Sequence, residues 1–437
     1  MNARSINKVF PESDQLSELL NSYKDELGLS VITEFNELVK ISDNGVLSAS
    51  DYRKQSRFLL EYCWEQLHTG HWKNVGIHWR LLYASIRLLR ALYVMRLFPL
   101  SSMNIDNISE YISCLEDLDY SLLMGYPILD GVATSLASEV HTQLNQAVPL
   151  FSIAFPELET PTRSSFTQLN NQLDLQSLER ICCPSLEHFH QLMSNGKPFI
   201  LTNAMTNWPA CNKNGPHFWN VQYWSRIAGR RIVPVEIGSR YTEESWGQEL
   251  MTLNRFIERF ILREDGDTST KQIGYLAQHQ LFLQIPELGE DVLTPDYCEV
   301  GVPETLDVSQ VDSNVWFGPS NTISPLHHDS DRANLLTQVN GSKLVILYTS
   351  DETPYLYPHP DRMLFNTSQV DVENPDLEKF PLIKHAKGFH GILHPGEMLY
   401  IPPRCWHYIR SLSTSFSVNF WWNVAERFIP PWPSTSD

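Results

Sequence analysis

The sequence predicts an α+β protein in which an all-helical N-terminal domain precedes a double-sheet jelly roll with decorating helices. Two patterns support this prediction. From about Asp14 to Leu150, apolar residues recur at intervals of three and four, which is the period of an amphipathic helix. Beyond residue 180 the pattern changes to short β-rich runs separated by Pro and Gly, as in antiparallel double-sheet folds.

The first 155 residues are predicted to form the helical domain. Ser50 precedes one helical run and Gly70 follows it, while Pro99 closes the next run. Residues 155–179, FPELETPTRSSFTQLNNQLDLQSLE, lose the apolar period and are rich in Pro, Ser, Thr and Asn. We therefore place a linker at 156–180 and a second domain at 181–437.

The second domain contains runs that we predict as strands and helices. The predicted strands are 198–202, 231–237, 273–277, 314–317, 344–348, 398–401 and 415–421. The predicted helices are 219–228 and 251–264, between the early strands.

Charge and cysteine content limit the function classes. The net charge of −18, from 33 basic and 51 acidic residues, argues against nucleic-acid binding and favours basic protein partners such as histone tails or ribosomal proteins. Seven scattered cysteines indicate reduced thiols and a cytosolic or nuclear compartment. The N-terminus lacks an apolar signal core, and arginines interrupt the most hydrophobic helical run, 81–100, so we expect neither secretion nor a membrane span.

A candidate metal site centres on His327-His328-Asp329. Side chains alternate along a strand, so His327 and Asp329 should point the same way and could bind one ion together. His407, which follows a turn at Pro402-Pro403, is the candidate third ligand. Two histidines and one carboxylate form the facial triad of non-heme Fe(II) oxygenases. A histidine and an aspartate at this spacing also arise by chance, and without them His407 would be interpreted as a hydrogen-bonded core histidine.

A buried lysine is predicted beside this site. Asn340-Gly341 between two apolar runs predicts a two-residue hairpin in which Gln338 faces Lys343. Asn334 and Lys343 would then share the inward face, and a buried lysine needs an anionic partner, which a bound carboxylate could supply. A shift of the pairing by one residue would instead turn Lys343 to solvent.

Residues 181–437 resemble the JmjC-domain 2-oxoglutarate oxygenases. Segments that carry the resemblance include GYLAQHQLF, WFGPSNTISPLHHD, NLLTQVNGSK and WHYIRSLSTSFSVNFWW. The helical half, with LHTGHWKNV, is similar too, so the resemblance covers most of the chain. One departure is the loop after Asp329, where Ser330 replaces the usual proline and one extra residue precedes Asn334.

The resemblance implies a double-stranded β-helix of the cupin-like type that binds Fe(II) through His327, Asp329 and His407. The co-substrates would be 2-oxoglutarate, which chelates the metal, and O2. The resemblance further implies that Lys343 meets the distal carboxylate of 2-oxoglutarate, and it implies pocket positions for four other residues: Tyr275, Ser324, Asn334 and, close by, Gln278.

Two residues are candidates for substrate contact. Glu236 and Trp316 could offer a carboxylate and an aromatic face to a guanidinium group. From the pattern alone, Glu236 could equally be a solvated strand residue and Trp316 a core residue, and the resemblance favours substrate contact for both.

We therefore expect a dioxygenase that hydroxylates arginine residues of basic proteins in the nucleus, with the cytoplasm as a second compartment. Histone N-methyl-lysine demethylation, a chromatin-regulatory activity, is the main alternative. A catalytically silent jelly-roll binding module is an alternative of another class. A zinc hydrolase is disfavoured because no residue near the triad is recognisable as its general base.

Overall fold

The computed structural model describes residues 13–148, 173–238, 240, 246–262, 272–305, 310–361 and 363–433. These residues form two compact units. The first comprises the described residues up to 148 together with Ala228–Val233 and Leu283–Ile285, and the second comprises the remaining described residues. Helices followed by a β-sandwich confirm the predicted fold class.

The first unit is built from helices, as the apolar period predicts. They are α1 (Ser13–Asn21), α2 (Lys24–Leu27), α3 (Leu29–Asn44), α4 (Ala49–Leu67), α5 (Ile77–Leu97), α6 (Ile108–Met124) and α7 (Val132–Ala147). Helix α4 begins before Ser50 because the Ser48 hydroxyl accepts a hydrogen bond from the backbone N–H of Asp51, at 3.1 Å. Tyr52 of α4 and Tyr93 of α5 stack in the core with ring centroids 4.0 Å apart.

A buried ion pair links distant segments within the first unit. The Asp119 carboxylate of α6 accepts hydrogen bonds from the Arg231 guanidinium at 2.7 and 2.9 Å, and both side chains are almost fully buried. The backbone N–H of Ile232 and the Gln284 amide also donate to Asp119, at 2.8 and 2.9 Å. These four hydrogen bonds compensate for removing the carboxylate from water.

The β-structure consists of two mixed sheets. The strands are β1 (Asp174–Ser177), β2 (Arg180–Cys182), β3 (Phe199–Thr202), β4 (Ile232–Ile237), β5 (Gly247–Thr252), β6 (Gly274–His279), β7 (Val311–Gly318), β8 (Ile323–His328), β9 (Arg332–Asn340), β10 (Lys343–Tyr348), β11 (Lys387–Leu393), β12 (Met398–Ile401), β13 (Trp406–Ser411) and β14 (Ser415–Asn423). The small sheet has the order β1-β11-β10-β13-β8, and the large sheet has the order β2-β3-β12-β9-β14-β7-β6-β4-β5. Short helices follow or separate the strands along the chain: α8 (Leu186–Ser194), α9 (Val221–Ala228), α10 (Leu253–Phe256), α11 (Leu281–Gln284) and α12 (Pro286–Gly289).

The predicted strands are all present, but several strands escaped prediction. Strand β8 contains Pro325, which weakens a strand pattern, and β11 contains two glycines.

Of the predicted linker, residues 156–172 lie outside the described residues. Asp174–Ser177, also assigned to the linker, instead forms β1 and pairs in parallel with β11. The predicted helix at 251–264 begins only at Leu253, after β5, where Thr252 caps it.

The predicted hairpin at Asn340-Gly341 is wrong. Strand β9 pairs with β12 and β14 in the large sheet, whereas β10 pairs with β11 and β13 in the small sheet. The turn therefore carries the chain from one sheet to the other. Of the two central residues only Gly341 has a positive φ, +76°, whereas the type I′ turn needs a positive φ at both.

No helix within the described ranges is long and apolar enough to cross a membrane.

Gly341→Ala should destabilise the protein because two costs combine. A Cβ at this position would lie 2.1 Å from the carbonyl oxygen of Thr414, and the left-handed backbone disfavours any non-glycine residue. We expect the free energy of unfolding to fall by roughly 2–5 kcal/mol. Gly396→Ala is the matched control, because φ is +87° there but nothing lies within 4 Å of the added Cβ, so only about 1 kcal/mol should be lost. Urea unfolding followed by tryptophan fluorescence measures both, and equal losses would contradict the steric explanation.

Candidate functional site

Two histidines and one carboxylate converge at the end of β8. One ligand atom each from His327, Asp329 and His407 lies within 4.8 Å of the others. The Asp329 carboxylate oxygens are 3.8 Å from Nε2 of His327 and 3.8 Å from Nε2 of His407. Because first-row divalent metals bind such atoms at about 2.0–2.2 Å, two ligands of one ion can lie up to about 4 Å apart. The cluster could therefore hold one metal ion.

Strand pairing brings His407 to this position. Strand β13 runs antiparallel to β8, and the register places His407 directly opposite His327, with ring centroids 4.2 Å apart. The turn at Pro402-Pro403 precedes β13, as the sequence suggested. Of the described residues, these three form the one His/Cys/Asp/Glu group found with metal-binding geometry.

Backbone carbonyls set the tautomer of both histidines. Nδ1 of His327 lies 2.7 Å from the Pro325 oxygen, and Nδ1 of His407 lies 3.0 Å from the Cys405 oxygen. A carbonyl oxygen only accepts, so in each ring Nδ1 is the donor and the lone pair of the neutral imidazole lies on Nε2. This arrangement orients a histidine for metal ligation through Nε2.

The Asp329 carboxylate is held as an anion by its neighbours. Its Oδ2 accepts hydrogen bonds from the Asn334 amide at 2.9 Å and from the Trp421 indole at 3.0 Å. Burial acts to raise the pKa of Asp329, but His407, His327 and these two donors together keep that pKa below its ordinary value. Burial, followed by the neighbouring His407, lowers the pKa of His327 to about 4, so that ring is neutral at physiological pH.

Lys343 lies in the pocket that also contains His327, Asp329 and His407. It is 1% exposed, and its Nζ donates to the Tyr275 hydroxyl at 3.1 Å. Burial lowers the pKa of Lys343 to about 7 and raises that of Tyr275. The lysine points inward as predicted, although it does so by crossing to the other sheet and not through a hairpin.

Both sheets contribute to this pocket. Its inner part is lined by Tyr275, Gln278, Trp316, Ser324, His327, Asp329, Asn334, Leu336, Lys343, His407, Ile409, Asn419 and Trp421. Nine of the residues singled out in the sequence are thus brought together, and Asn334 lines the pocket despite the extra residue before it. Gln278 has φ +47°, an unusual backbone for a non-glycine residue, at an irregularity between β6 and β7.

The outer part of the pocket contains Glu236. This region has a volume of about 420 Å³ and is also lined by Trp246, Trp316, Met363 and Asn366. Glu236 lies opposite Tyr275 in the pairing of β4 with β6, and its carboxylate accepts from the Trp246 indole at 3.3 Å. Burial raises the pKa of Glu236. The Trp316 indole donates to Asn419 at 2.8 Å, which fixes its ring.

Sequence reasoning missed several lining residues. Ser417, Asn419 and Trp421 occupy every second position of β14, so the period of two along a predicted strand could have indicated their shared face. Asn366 had no such signal because it lies outside the regular strands. Its amide donates to the His328 carbonyl at 3.0 Å, and its carbonyl accepts from the His328 N–H at 2.9 Å.

His328 points away from the metal cluster, as alternation predicts. Its ring packs against Trp406 and Trp432, each with a centroid distance of 4.7 Å. Its Nδ1 donates to the Asp329 carbonyl oxygen at 2.8 Å.

A jelly roll that gathers two histidines and a carboxylate between its sheets defines a cupin-like protein with a candidate mononuclear metal centre. Residues 184–427 match the family model described as "Cupin-like domain". The chain is 37% identical over 425 residues to "Lysine-specific demethylase 8" of Danio rerio, and this alignment covers 96% of this chain and 98% of the relative. It is 35% identical to the Xenopus tropicalis protein of the same name, covering 96% of this chain and 100% of the relative.

A third relative is "Jumonji C domain-containing protein 5" of Drosophila melanogaster, 37% identical over 83% of this chain and 85% of the relative. The chain belongs to the JmjC-domain family of 2-oxoglutarate-dependent dioxygenases. Members of this family generally depend on Fe(II) and 2-oxoglutarate.

The metal cluster makes a direct prediction about binding. His327→Ala and Asp329→Ala should each weaken Mn(II) binding at least tenfold, because each removes one of three ligands. His328→Ala is the matched control and should retain binding, since that ring faces away from the cluster. Isothermal titration calorimetry measures all three affinities. Loss of binding in the His328 variant, or retention in the other two, would show that the ligands are misassigned.

Proposed function

We propose that this protein is an Fe(II)- and 2-oxoglutarate-dependent hydroxylase that acts on arginine residues of basic proteins. The observation that carries the proposal is the half-buried Glu236 carboxylate beside two indole rings, at the outer end of the pocket that contains the metal cluster. The family assignment supplies the reaction class, and the residues of the pocket support the substrate.

The proposed ligands of Fe(II) are His327, Asp329 and His407. When bound, iron and 2-oxoglutarate supply oxidative decarboxylation to succinate and CO2, coupled to insertion of one oxygen atom of O2 into a C–H bond. With three protein ligands, the bound metal would keep coordination positions for the co-substrates. The fixed tautomers and the Asn334 and Trp421 donors keep the ligand set ready to bind without rearrangement.

Lys343 and Tyr275 are the proposed partners of the distal carboxylate of 2-oxoglutarate. A buried ammonium group without a carboxylate partner is costly, and a bound carboxylate would offset that cost. The Tyr275 hydroxyl, 3.1 Å from the amine, would orient the carboxylate as a second donor. Ser324 and Asn334 are assigned to the walls of the co-substrate site, with Gln278 beside them.

Glu236 and Trp316 are the proposed substrate contacts. A carboxylate accepts two parallel N–H bonds from a guanidinium group, and an indole face attracts its charge. The acidic chain, with a net charge of −18, would attract Lys- and Arg-rich segments. Basic nuclear proteins such as histones fit this chemistry, and we propose the nucleus as the main compartment, with the cytoplasm as the second.

N-methyl-lysine demethylation is the second candidate. Its support is the name of the Danio rerio and Xenopus tropicalis relatives, lysine-specific demethylase 8. A methylammonium group could also occupy a pocket with one carboxylate and aromatic walls. The two reactions share the first step and differ in the oxidised product. A silent binding module would lack turnover altogether.

Product analysis separates these candidates. We expect a library of arginine- and lysine-containing peptides, incubated with Fe(II) and 2-oxoglutarate, to yield arginine peptides heavier by one oxygen atom together with succinate. Loss of a methyl group with formaldehyde release would support the demethylase instead, and no turnover would support the binding module. Glu236→Gln should lower kcat/KM for the peptide at least tenfold by weakening the charge-assisted pair, while succinate formation without peptide persists.

The pKa of Lys343 predicts how 2-oxoglutarate affinity depends on pH. That pKa is about 7, so the neutral amine predominates above pH 7 and must gain a proton to pair with the carboxylate. We therefore expect affinity to fall roughly fivefold from pH 7 to pH 8 and to change little below pH 6.5. Calorimetry at saturating Mn(II) measures this. Lys343→Met should lose both the affinity and the pH dependence, whereas the exposed control Lys387→Met should retain both.

A further inference from the structure

An arginine-rich groove lies on the helical unit between α4 and α5. It has a volume of about 460 Å³ and is lined by Ser50, Arg53, Lys54, Arg57, Leu60, Glu61, Trp64, Tyr83, Arg87 and Arg90. Five lining side chains are cationic and one is anionic, on a chain whose net charge is −18. We call this the α4–α5 groove.

Two arginines at the floor of the groove pair with one carboxylate. Nη1 of Arg87 lies 2.6 Å from one oxygen of Asp117, and Nε of Arg90 lies 3.3 Å from the other. The three side chains are 16%, 13% and 3% exposed, so two arginines share one carboxylate in a largely desolvated place. Burial, together with Arg87 and Arg53, lowers the pKa of Arg90 despite Asp117.

The rim of the groove can adapt at small cost. Lys54 pairs with Asp51 at 3.0 Å and Arg57 with Glu61 at 2.6 Å, and all four side chains are more than half exposed. Such exposed pairs contribute little to stability, so either cation can turn to another anion. Arg53 pairs with Glu110, which leaves Nη1 of Arg53 buried and without a hydrogen-bond partner in the described structure.

An aromatic surface completes the groove. Trp64 is 40% exposed, and the Tyr83 hydroxyl accepts from the Arg87 guanidinium at 3.0 and 3.2 Å, which orients that guanidinium. The planar guanidinium group of an arginine can donate hydrogen bonds to two phosphate oxygens at once, so arginines are well suited to phosphate binding. The overall negative charge of the chain disfavours a long polyanion such as nucleic acid.

We propose that the α4–α5 groove binds a phosphate-bearing ligand, through Arg87 and Arg90 at its floor and Lys54 and Arg57 at its rim. The phosphate could belong to a free phosphorylated small molecule or to a phosphorylated side chain of a partner protein. Nothing in this inference depends on the oxygenase reaction, because the groove is formed entirely within the helical unit.

Calorimetry on the full chain tests the proposal with two probes. One is inorganic pyrophosphate, and the other is a phosphoserine peptide compared with its unphosphorylated form. We expect Arg90→Gln to weaken binding of the preferred probe at least tenfold, and the exposed double variant Lys54→Gln/Arg57→Gln to weaken it severalfold without disturbing the core. Arg80→Gln, on the same helix α5 but outside the groove, is the matched control and should bind like the parent.

The outcomes separate the two sources of phosphate. Tighter binding of pyrophosphate identifies a free ligand, and tighter binding of the phosphopeptide identifies a protein partner. The proposal is overturned if the parent binds neither probe at physiological ionic strength. It is also overturned if the double variant, with an unchanged circular dichroism spectrum, binds as tightly as the parent.

Discussion

The pairing of β8 with β13 is the constraint on which the site depends. Because side chains alternate along a strand, a shift of one residue would turn His407 away from His327 and dissolve the cluster. Several contacts support this register. The Ser411 hydroxyl accepts a hydrogen bond from the Thr322 hydroxyl at 2.7 Å. On the side of β8 that faces away from β13, Asn366 forms hydrogen bonds with both the N–H and the carbonyl of His328. The sheet therefore positions His327 and His407, and Asp329 directly follows the last residue of β8.

Electrostatic cost is concentrated where ligands would bind. Lys343 is buried, and Glu236 and Asp329 are half-buried, within one connected pocket, and burial shifts the pKa of the lysine and of the glutamate toward their neutral forms. Asp329 differs because the neighbouring histidines and two hydrogen-bond donors lower its pKa despite burial. Ionisable groups such as Lys343 and Glu236, whose pKa values are shifted by burial and which lack an oppositely charged partner among the residues that the structure describes, are typical of functional sites.

Sequence alone could predict the alternation that pairs His327 with Asp329, but the list of predicted strands lacked β8, β9 and β13, and the connections between sheets were not predicted. The spacing of His327 and Asp329 sufficed for their shared direction. The orientation of Lys343 was predicted correctly from a hairpin that does not exist, because a sheet-to-sheet crossing at Gly341 also turns the lysine inward. Pairings between residues far apart in sequence, such as Arg231 with Asp119 and Asn366 with His328, leave no local pattern.

The contact of Asn366 with β8 also favours solubility, because it covers an edge of the small sheet. Strand β8 ends the small sheet, and an edge of that kind would expose unpaired backbone groups to neighbouring molecules. Backbone bonds from His328 to Asn366 and from Ser368 to Leu326 cover this edge, and at the opposite edge β1 is only four residues long. The segment that holds the ligand strand in place thus also protects the sheet against edge-to-edge aggregation.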